Sequence, residues 1–134
     1  MKIYLDSCIV IYLIEGSSEY RVAVEAELQT QQPAVTIISD LVRLECKVGP
    51  LRRRGRAMLI RFENFFASVA VVPLSPAQCD LAAELRAQHR LKTPDARHAA
   101  AAISNGCDEF WTNDRRLAVL EPRIKLRVLP DAAS

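Results

Sequence analysis

Four acidic residues lie where predicted strands end or predicted helices begin, which is where a parallel α/β sheet gathers its ligand-binding groups. They are Asp6, Glu45, Asp95 and Asp114. Taken singly, each is an ordinary capping or surface residue, and an acid in the first turn of a helix contributes only about 0.3–1 kcal/mol. Four carboxylates at one sheet edge repel one another unless a cation neutralises them. Because carboxylates and retained waters bind Mg²⁺, the pattern predicts a divalent-cation site.

A basic segment lies between residues 43 and 61. It holds seven Lys or Arg residues and one acid, Glu45, so its local charge is +6 in a chain whose net charge is +2. A phosphate backbone is one natural partner for such a segment, and beside a Mg²⁺ site it suggests phosphoryl transfer on a nucleic acid. A solvated turn and helix face fits the same charge pattern, so charge alone leaves both interpretations open.

The elements that must position these residues alternate between strands and helices. Apolar and β-branched runs predict strands at 2–6, 34–38, 69–72, 110–112 and 126–129. Caps and a period of 3.6 predict helices at 17–32, 39–49, 58–66, from 75, from 93 to about 106, and a helical turn or two at 114–120. Ser7 is a predicted N-cap, and Gly49 with Pro50 is a predicted helix end. The alternation predicts the α/β class, with a mainly parallel, twisted sheet between helices on both faces.

Length and composition indicate one globular domain. The chain has 134 residues, of which 50% are apolar and 25% charged, and this excludes an intrinsically disordered chain. At about 150 residues per domain, we expect a single domain over residues 1–130 and a loose tail over 131–134. The content of 4 Gly and 7 Pro excludes collagen-like or linker composition.

Neither a membrane segment nor a metal-binding cysteine motif is indicated. The longest apolar stretch near the N-terminus, residues 8–14, is far shorter than the roughly 18 residues that a span needs. No basic segment with a cleavage site precedes it, so we expect a cytoplasmic protein that does not bind membranes. The cysteines form no CxxC pair and the two histidines no HxxxH pair, which argues against a disulfide scaffold or a zinc site.

Several short motifs resemble those of the PIN-domain ribonucleases, and in particular the VapC-type toxins of type II toxin–antitoxin pairs. The motifs are Ile-Tyr-Leu-Asp-Ser-Cys at 3–8, Glu45 in a helix after a hydrophobic strand, Thr-Pro-Asp-Ala at 93–96 before an alanine-rich run, and Trp-Thr-Asn-Asp at 111–114. The resemblance spans essentially the whole chain. The order and spacing of the four acids are specific, whereas a lone Thr-Asn-Asp would not be. Cys8 is a mild departure, since many relatives have Asn or Ser there.

The resemblance implies a fold, an activity and partners. The fold is a PIN-like three-layer sandwich, and the activity is endoribonuclease cleavage that depends on Mg²⁺ or Mn²⁺. The partners are RNA and a cognate antitoxin protein, and the toxin is a homodimer or part of a larger toxin–antitoxin assembly. Two amphipathic stretches, 20–28 and 58–66, are candidate antitoxin surfaces, although core packing is the default for both.

The resemblance also implies roles for individual residues. Asp6 and Asp95 are expected as direct metal ligands, and Asp114 as a ligand or an anchor. Glu45 either holds a second metal or positions the attacking water, and the sequence does not decide between these roles. The expected hydrogen-bonding residues around the acids are Ser7, Thr112 and Asn113, and the expected RNA-phosphate contacts are Arg52, Arg53, Arg54 and Arg56.

Two further residues near the motifs have weaker interpretations. His98 follows Asp95 by about one helical turn, so a hydrogen bond to the acids competes with a partly buried structural histidine, and we favour the structural role. Trp111 is expected in the core or in a groove wall.

Three alternatives compete with a toxin. Phosphatases of the haloacid dehalogenase type also place an aspartate after the first strand, but they need a second Asp two residues later, where this chain has Cys8. A binding module without activity usually lacks some of the acids, and none is lacking here. A housekeeping RNA-processing nuclease without an antitoxin keeps the same fold and chemistry and remains open.

Overall fold

Five strands form one parallel sheet in the order β3-β2-β1-β4-β5. The computed structural model describes residues 1–130, so the predicted tail at 131–134 lies outside the described residues. The strands are β1 Lys2–Leu5, β2 Val35–Ser39, β3 Ala70–Val72, β4 Glu109–Thr112 and β5 Lys125–Val128. The predicted α/β class and parallel sheet are confirmed. Because β1 is central, the chain direction across the sheet reverses there, and such a switch point opens a crevice at the carboxyl ends of the strands.

In the described part of the chain, six α-helices and one 3₁₀ helix connect the strands. The α-helices are α1 Ser7–Glu15, α2 Ser18–Thr30, α3 Asp40–Arg52, α4 Arg56–Ser68, α5 Pro76–His89 and α6 Thr93–Ser104, and the 3₁₀ helix is Arg115–Leu120. The predicted caps Ser17 and Ser75 accept hydrogen bonds from the first turns of α2 and α5. Within residues 1–130, no helix is both long and apolar enough to cross a membrane.

Two local predictions about helix ends are wrong. The N-cap of α1 is Asp6, not Ser7, because the Asp6 carboxylate accepts the Ser7 N–H at 2.7 Å. Helix α3 continues through Gly49 and Pro50 to Arg52. A proline so close to the end of a helix removes one hydrogen bond without breaking the turn, and the chain leaves the helix at Arg54, whose φ is +53°.

The core contains large aromatic side chains on the sheet and a helix of small residues packed on it. Tyr4 and Phe110 on the neighbouring strands β1 and β4 stack at 5.4 Å between ring centroids, and both are fully buried. Ala96 and the four alanines at 99–102 on α6 are also fully buried. Because alanine adds only a methyl group, α6 lies close to its neighbours, and the position of its first turn is fixed by backbone packing.

Candidate active site

The four predicted acids lie at the carboxyl edge of the sheet. Asp6 follows β1, Glu45 is in the second turn of α3, Asp95 is in the first turn of α6, and Asp114 caps the 3₁₀ helix after β4. One oxygen of Asp6, one of Glu45 and a ring nitrogen of His98 all lie within 4.8 Å of one another. Asp95 and Asp114 line a common cavity. The sequence therefore identified the positions that the fold brings to one edge.

Asp6 is held in place by donors from two elements. Its Oδ1 accepts the Ser7 backbone N–H at 2.7 Å, and its Oδ2 accepts the Thr112 hydroxyl at 2.8 Å. Thr112 is the last residue of β4, the strand that pairs with β1, so the sheet register itself aims this hydroxyl at Asp6. The Asp6 side chain is 14% exposed, which leaves it open to solvent at the sheet edge.

Glu45 accepts two hydrogen bonds on the same oxygen. The Ser7 hydroxyl donates to Oε1 at 2.5 Å, and His98 Nε2 lies 2.6 Å from Oε1. Burial opposes the ionisation of Glu45, but the hydrogen bonds from His98 and Ser7 outweigh it and hold its pKa below the usual value. The carboxyl group is thus ionised at neutral pH, and among residues 1–130 its other oxygen, Oε2, has no hydrogen-bond partner.

His98 is buried and also forms a hydrogen bond with Glu45, the alternative that the sequence interpretation ranked second. Its ring is 2% exposed, its Nε2 contacts Glu45 and lies 3.5 Å from Asp6 Oδ1, and its Nδ1 lies 2.8 Å from the Tyr4 hydroxyl. The Tyr4 hydroxyl in turn lies 2.8 Å from Ser39 Oγ. An ionised carboxylate can only accept, so Nε2 donates to Glu45. The spacing of three residues from Asp95 on one helix was the sequence signal for this contact.

Asp95 and Asp114 form the second part of the site, which we call open because the cation that pairs with Asp114, Arg116, is exposed. Burial raises the pKa of Asp95, and the negative charges of Asp6 and Asp114 raise it further. The Arg116 guanidinium has the opposite effect on Asp114, whose pKa it lowers through hydrogen bonds to both carboxylate oxygens, at 2.7 Å and 3.0 Å for the shortest two. The Arg116 side chain is 75% exposed, so solvent reaches this pair.

Some of the other predicted residues contact the acids, and others do not. Ser7 and Thr112 contact the acids as described, whereas Asn113 is exposed and donates to the Tyr12 hydroxyl on α1 at 2.8 Å. Trp111 is fully buried in the core, and its indole N–H donates to Glu109 at 2.9 Å.

The predicted RNA-binding arginines lie at the turn between α3 and α4, away from the acids. Arg52 is seven residues after Glu45, or about 10 Å along the α3 axis. Arg53 pairs with Glu15 at 3.3 Å, while Arg52, Arg54 and Arg56 make no ion pair with the described part of the chain. Leu44, Val48 and Leu51 form an exposed apolar stripe along the same helix.

The donor set fits a hard divalent cation. Both ring nitrogens of His98 are already engaged, by Glu45 and by Tyr4, so carboxylate oxygens remain as the donors. The negative charges of Asp6 and Asp114 add to burial in raising the pKa of Asp95, so positive charge near this carboxylate would balance them. A small, oxygen-seeking cation would supply that balance.

Comparison with known proteins agrees with the fold. The family model described as PIN domain matches residues 3–121. The structure of VapBC2 from Rickettsia felis bound to a promoter DNA fragment aligns with 96% of this chain and 98% of its own, at TM-score 0.80 and 18% identity. DNA-bound VapBC from Salmonella typhimurium aligns over the same shares at TM-score 0.79 and 19% identity.

A third solved structure is VapC20 from Mycobacterium tuberculosis, a toxin that cleaves the sarcin–ricin loop. It aligns with 81% of this chain and 86% of its own, at TM-score 0.67 and 19% identity. Among curated proteins, no sequence matches this chain significantly.

Proposed function

The chain belongs to the PIN domain family, and on that premise we propose that it is a Mg²⁺-dependent endoribonuclease that acts as the toxin of a toxin–antitoxin pair. Residues 1–130 form the single nuclease domain, and Mn²⁺ replaces Mg²⁺ in the same site. The observation that carries the proposal is the geometry of the acidic edge, where atoms of Asp6, Glu45 and His98 lie within 4.8 Å of one another and Asp95 and Asp114 line a common cavity. Repulsion between carboxylates in such a cluster destabilises the folded state unless a bound cation neutralises them.

Each acid has a separate task in the proposed reaction. Asp6 and Asp95 would hold the cation directly, and Asp114, which pairs with Arg116 in this structure, would be a third ligand. A bound divalent cation supplies a lowered pKa for water and neutralises charge on the scissile phosphate. Ser7 and Thr112 keep the Asp6 carboxylate in one orientation through the two hydrogen bonds that they donate.

Glu45 is the residue that positions the attacking water. Its Oε1 is fully engaged by Ser7 and His98, so Oε2 is the atom available to accept a hydrogen bond from water. Because its pKa lies below the usual value, the group is ionised and would accept the proton of the water whose oxygen forms the new P–O bond. The P–O bond to the leaving oxygen breaks in the same step, and solvent protonates that oxygen. The second role left open by the sequence, a ligand to a second metal, uses the same oxygen.

RNA and an antitoxin are the proposed macromolecular partners. The exposed arginines Arg52, Arg53, Arg54 and Arg56 contact phosphates of the RNA farther from the cleaved bond, which gives affinity without base preference. The similar structures from R. felis and S. typhimurium contain VapBC, which supports an antitoxin as the second partner. The assembly is a homodimer or a larger toxin–antitoxin complex in the cytoplasm.

Cleavage of a total RNA pool by the purified chain tests the proposal. We expect cuts with Mg²⁺ or Mn²⁺, no cuts with EDTA, and no cuts by the Asp6→Asn variant. The matched control is Asp80→Asn, which removes an exposed acid from α5 and should cut like the wild type. Absence of cutting by a folded preparation, or cutting that Asp6→Asn retains, would contradict the proposal.

Expression in bacteria then separates a toxin from an RNA-processing nuclease. A toxin arrests growth when it is expressed alone, and the arrest requires Asp6. Growth without arrest by a chain that cuts RNA in the test tube would assign it to RNA processing instead.

A further inference from the structure

A small basic cavity lies beside the acidic edge, at the turn between α5 and α6. It has a volume of about 160 Å³, and the charged or titratable residues that line it are His89, Arg90, Lys92, Asp95, Asp114 and Arg116. Two of these are the acids of the open part of the site. The cavity, which we call the Lys92 cavity, is therefore continuous with the proposed catalytic centre.

We propose that the Lys92 cavity binds a backbone phosphate of the RNA, next to the phosphate that is cleaved. This inference rests on the proposed nuclease function and adds to it the direction in which the RNA leaves the site. The strand would pass from the acids towards the α5–α6 turn. Arg90 and Lys92 supply the positive charge that this second phosphate requires.

Arg90 and Lys92 are free to bind an anion. Both are exposed, and within residues 1–130 neither forms an ion pair. Lys92 is nevertheless near enough to Asp114 for its charge to help lower the pKa of that acid. If these side chains served only to neutralise the acids, they would pair with them as Arg116 pairs with Asp114. Instead they remain beside the site with their hydrogen-bond donors available.

The backbone at this turn also favours a negative ligand. Helix α6 begins after Lys92 with no side-chain cap hydrogen bond, so the positive end of its dipole lies at this turn, where Asp95 is the acid of the first turn. Arg90 ends α5 with a φ of +56°, a conformation that favours glycine and costs an arginine about 1 kcal/mol or more. The protein would therefore be more stable with glycine at position 90 than with the arginine that is there.

The cavity suits a phosphate better than an acidic peptide. Its apolar residues are Leu91 and Leu117, which are 8% and 1% exposed, so the side chains that an entering ligand meets first are the charged ones. The arginine turn between α3 and α4 differs, because it borders the exposed stripe of Leu44, Val48 and Leu51. Contacts from exposed basic side chains are typical of backbone recognition in nucleic acids.

The test compares two double variants that remove the same charge from opposite edges of the sheet. Arg90→Gln/Lys92→Gln changes the Lys92 cavity, and Gln at position 90 keeps the backbone cost that Arg already carries. The control, Lys2→Gln/Arg123→Gln, changes exposed residues near the amino ends of β1 and β5. Both are made in the Asp6→Asn background so that the RNA stays intact, and equal thermal unfolding midpoints verify that both fold.

Binding of a fluorescein-labelled single-stranded RNA of mixed sequence is measured by fluorescence anisotropy between 50 and 200 mM salt. We expect the cavity variant to bind about three- to tenfold more weakly than the control at low salt. The slope of log affinity against log salt should fall by about 0.7, which corresponds to one lost phosphate contact on a single strand. Equal affinity and slope in the two variants would overturn the inference.

Cleavage kinetics distinguish failure of this inference from failure of the proposed function. With Asp6 restored, the cavity variant should show a raised KM and a nearly unchanged kcat, because it loses binding that the substrate and transition state share. If the wild type cuts RNA and the cavity variant cuts with the same KM, only the inference is wrong. If the wild type cuts no RNA with any divalent cation, the proposed function itself is wrong.

Discussion

The acidic edge has two halves with two carboxylates each, Asp6 with Glu45 and Asp95 with Asp114. The halves differ in the groups that stabilise their negative charge. In the first half, Ser7, Thr112 and His98 donate hydrogen bonds to the carboxylates, and the pKa of Glu45 is lowered. In the second half, Asp95 has a raised pKa, and Asp114 is balanced by one exposed arginine. Hydrogen bonds within the chain organise the first half, whereas the second half would, on the proposed function, be balanced by a bound cation.

This difference predicts that the two halves contribute differently to folding stability and to activity. Buried hydrogen-bond donors fix the orientation of a carboxylate whether or not salt or metal is present. Exposed charges are screened by salt and rearrange when a cation binds. We therefore expect substitutions in the buried half to change both folding stability and activity, and substitutions in the open half to affect activity while relieving repulsion.

The largest expected effect is that of Asp95→Asn. RNA cleavage should fall by at least about 100-fold, the upper end of the loss expected even for partners of metal ligands. The metal-free protein should become more stable at pH 7, by about 0.5–2 kcal/mol, as is common when a strained functional residue is replaced. Urea unfolding in EDTA measures this second change, and a lower stability of the variant would contradict the assigned repulsion.

Tyr4→Phe tests the buried half without touching an acid. It leaves His98 Nδ1 buried and unpaired, which should cost about 1–3 kcal/mol of stability. Cleavage should fall by about 10- to 100-fold as His98 loses its fixed orientation towards Glu45. The control is Tyr20→Phe on α2, where the ring is 41% exposed and a change below about 0.5 kcal/mol is expected. Equal behaviour of the two variants would show that the Tyr4 hydroxyl has no role.

The pH dependence of stability should have opposite signs in the two halves. The lowered pKa of Glu45 stabilises the fold above its ordinary value of 4.5, and this contribution is lost as pH falls through its folded pKa. The raised pKa of Asp95 destabilises the fold above that folded pKa, and the penalty is gone below its ordinary value of 3.8.

Urea unfolding of metal-free protein between pH 7 and pH 3 measures both signs. Glu45→Gln should be less stable than the wild type at pH 7, and Asp95→Asn more stable. Both differences should shrink towards pH 3, and a difference that instead grows on acidification would show that the sign is wrong for that residue.

The smallest expected effect is that of Arg116→Gln on stability. The pair with Asp114 is exposed and screened, so the urea midpoint should move less than in any variant above. The change should also disappear at high salt. A large, salt-independent loss would mean that the open half is as firmly organised as the buried one.

The sequence was sufficient to predict the strands of the sheet and the positions of the acids at its edge, because both depend on local patterns. A β-branched run predicts a buried strand, and parallel strands bring the residues that follow them to one edge, as seen for Asp6 and Asp114. The end of α3 was missed because a Gly-Pro pair is a local stop signal, and packing around the buried Pro50 overrides it.

The contacts of His98 depend on distances that no local pattern contains. Its partner Tyr4 is on β1, and Ser39 reaches Tyr4 from the neighbouring strand β2. An alanine-rich helix gives the same periodicity whether its histidine faces the core or the site. For the same reason, the sequence did not show that Arg90 and Lys92 are nearer to the acids than the arginine turn is.

The buried alanines of α6 affect how much sequence change the molecule can tolerate. A helix packed through methyl groups has no space for larger residues, so we expect random mutagenesis to recover few functional variants at Ala96 or at 99–102. Variation in RNA preference would then have to arise in the exposed turns around the edge. Laboratory evolution towards a new substrate would accordingly start from residues 89–92 and 52–56, with α6 left unchanged.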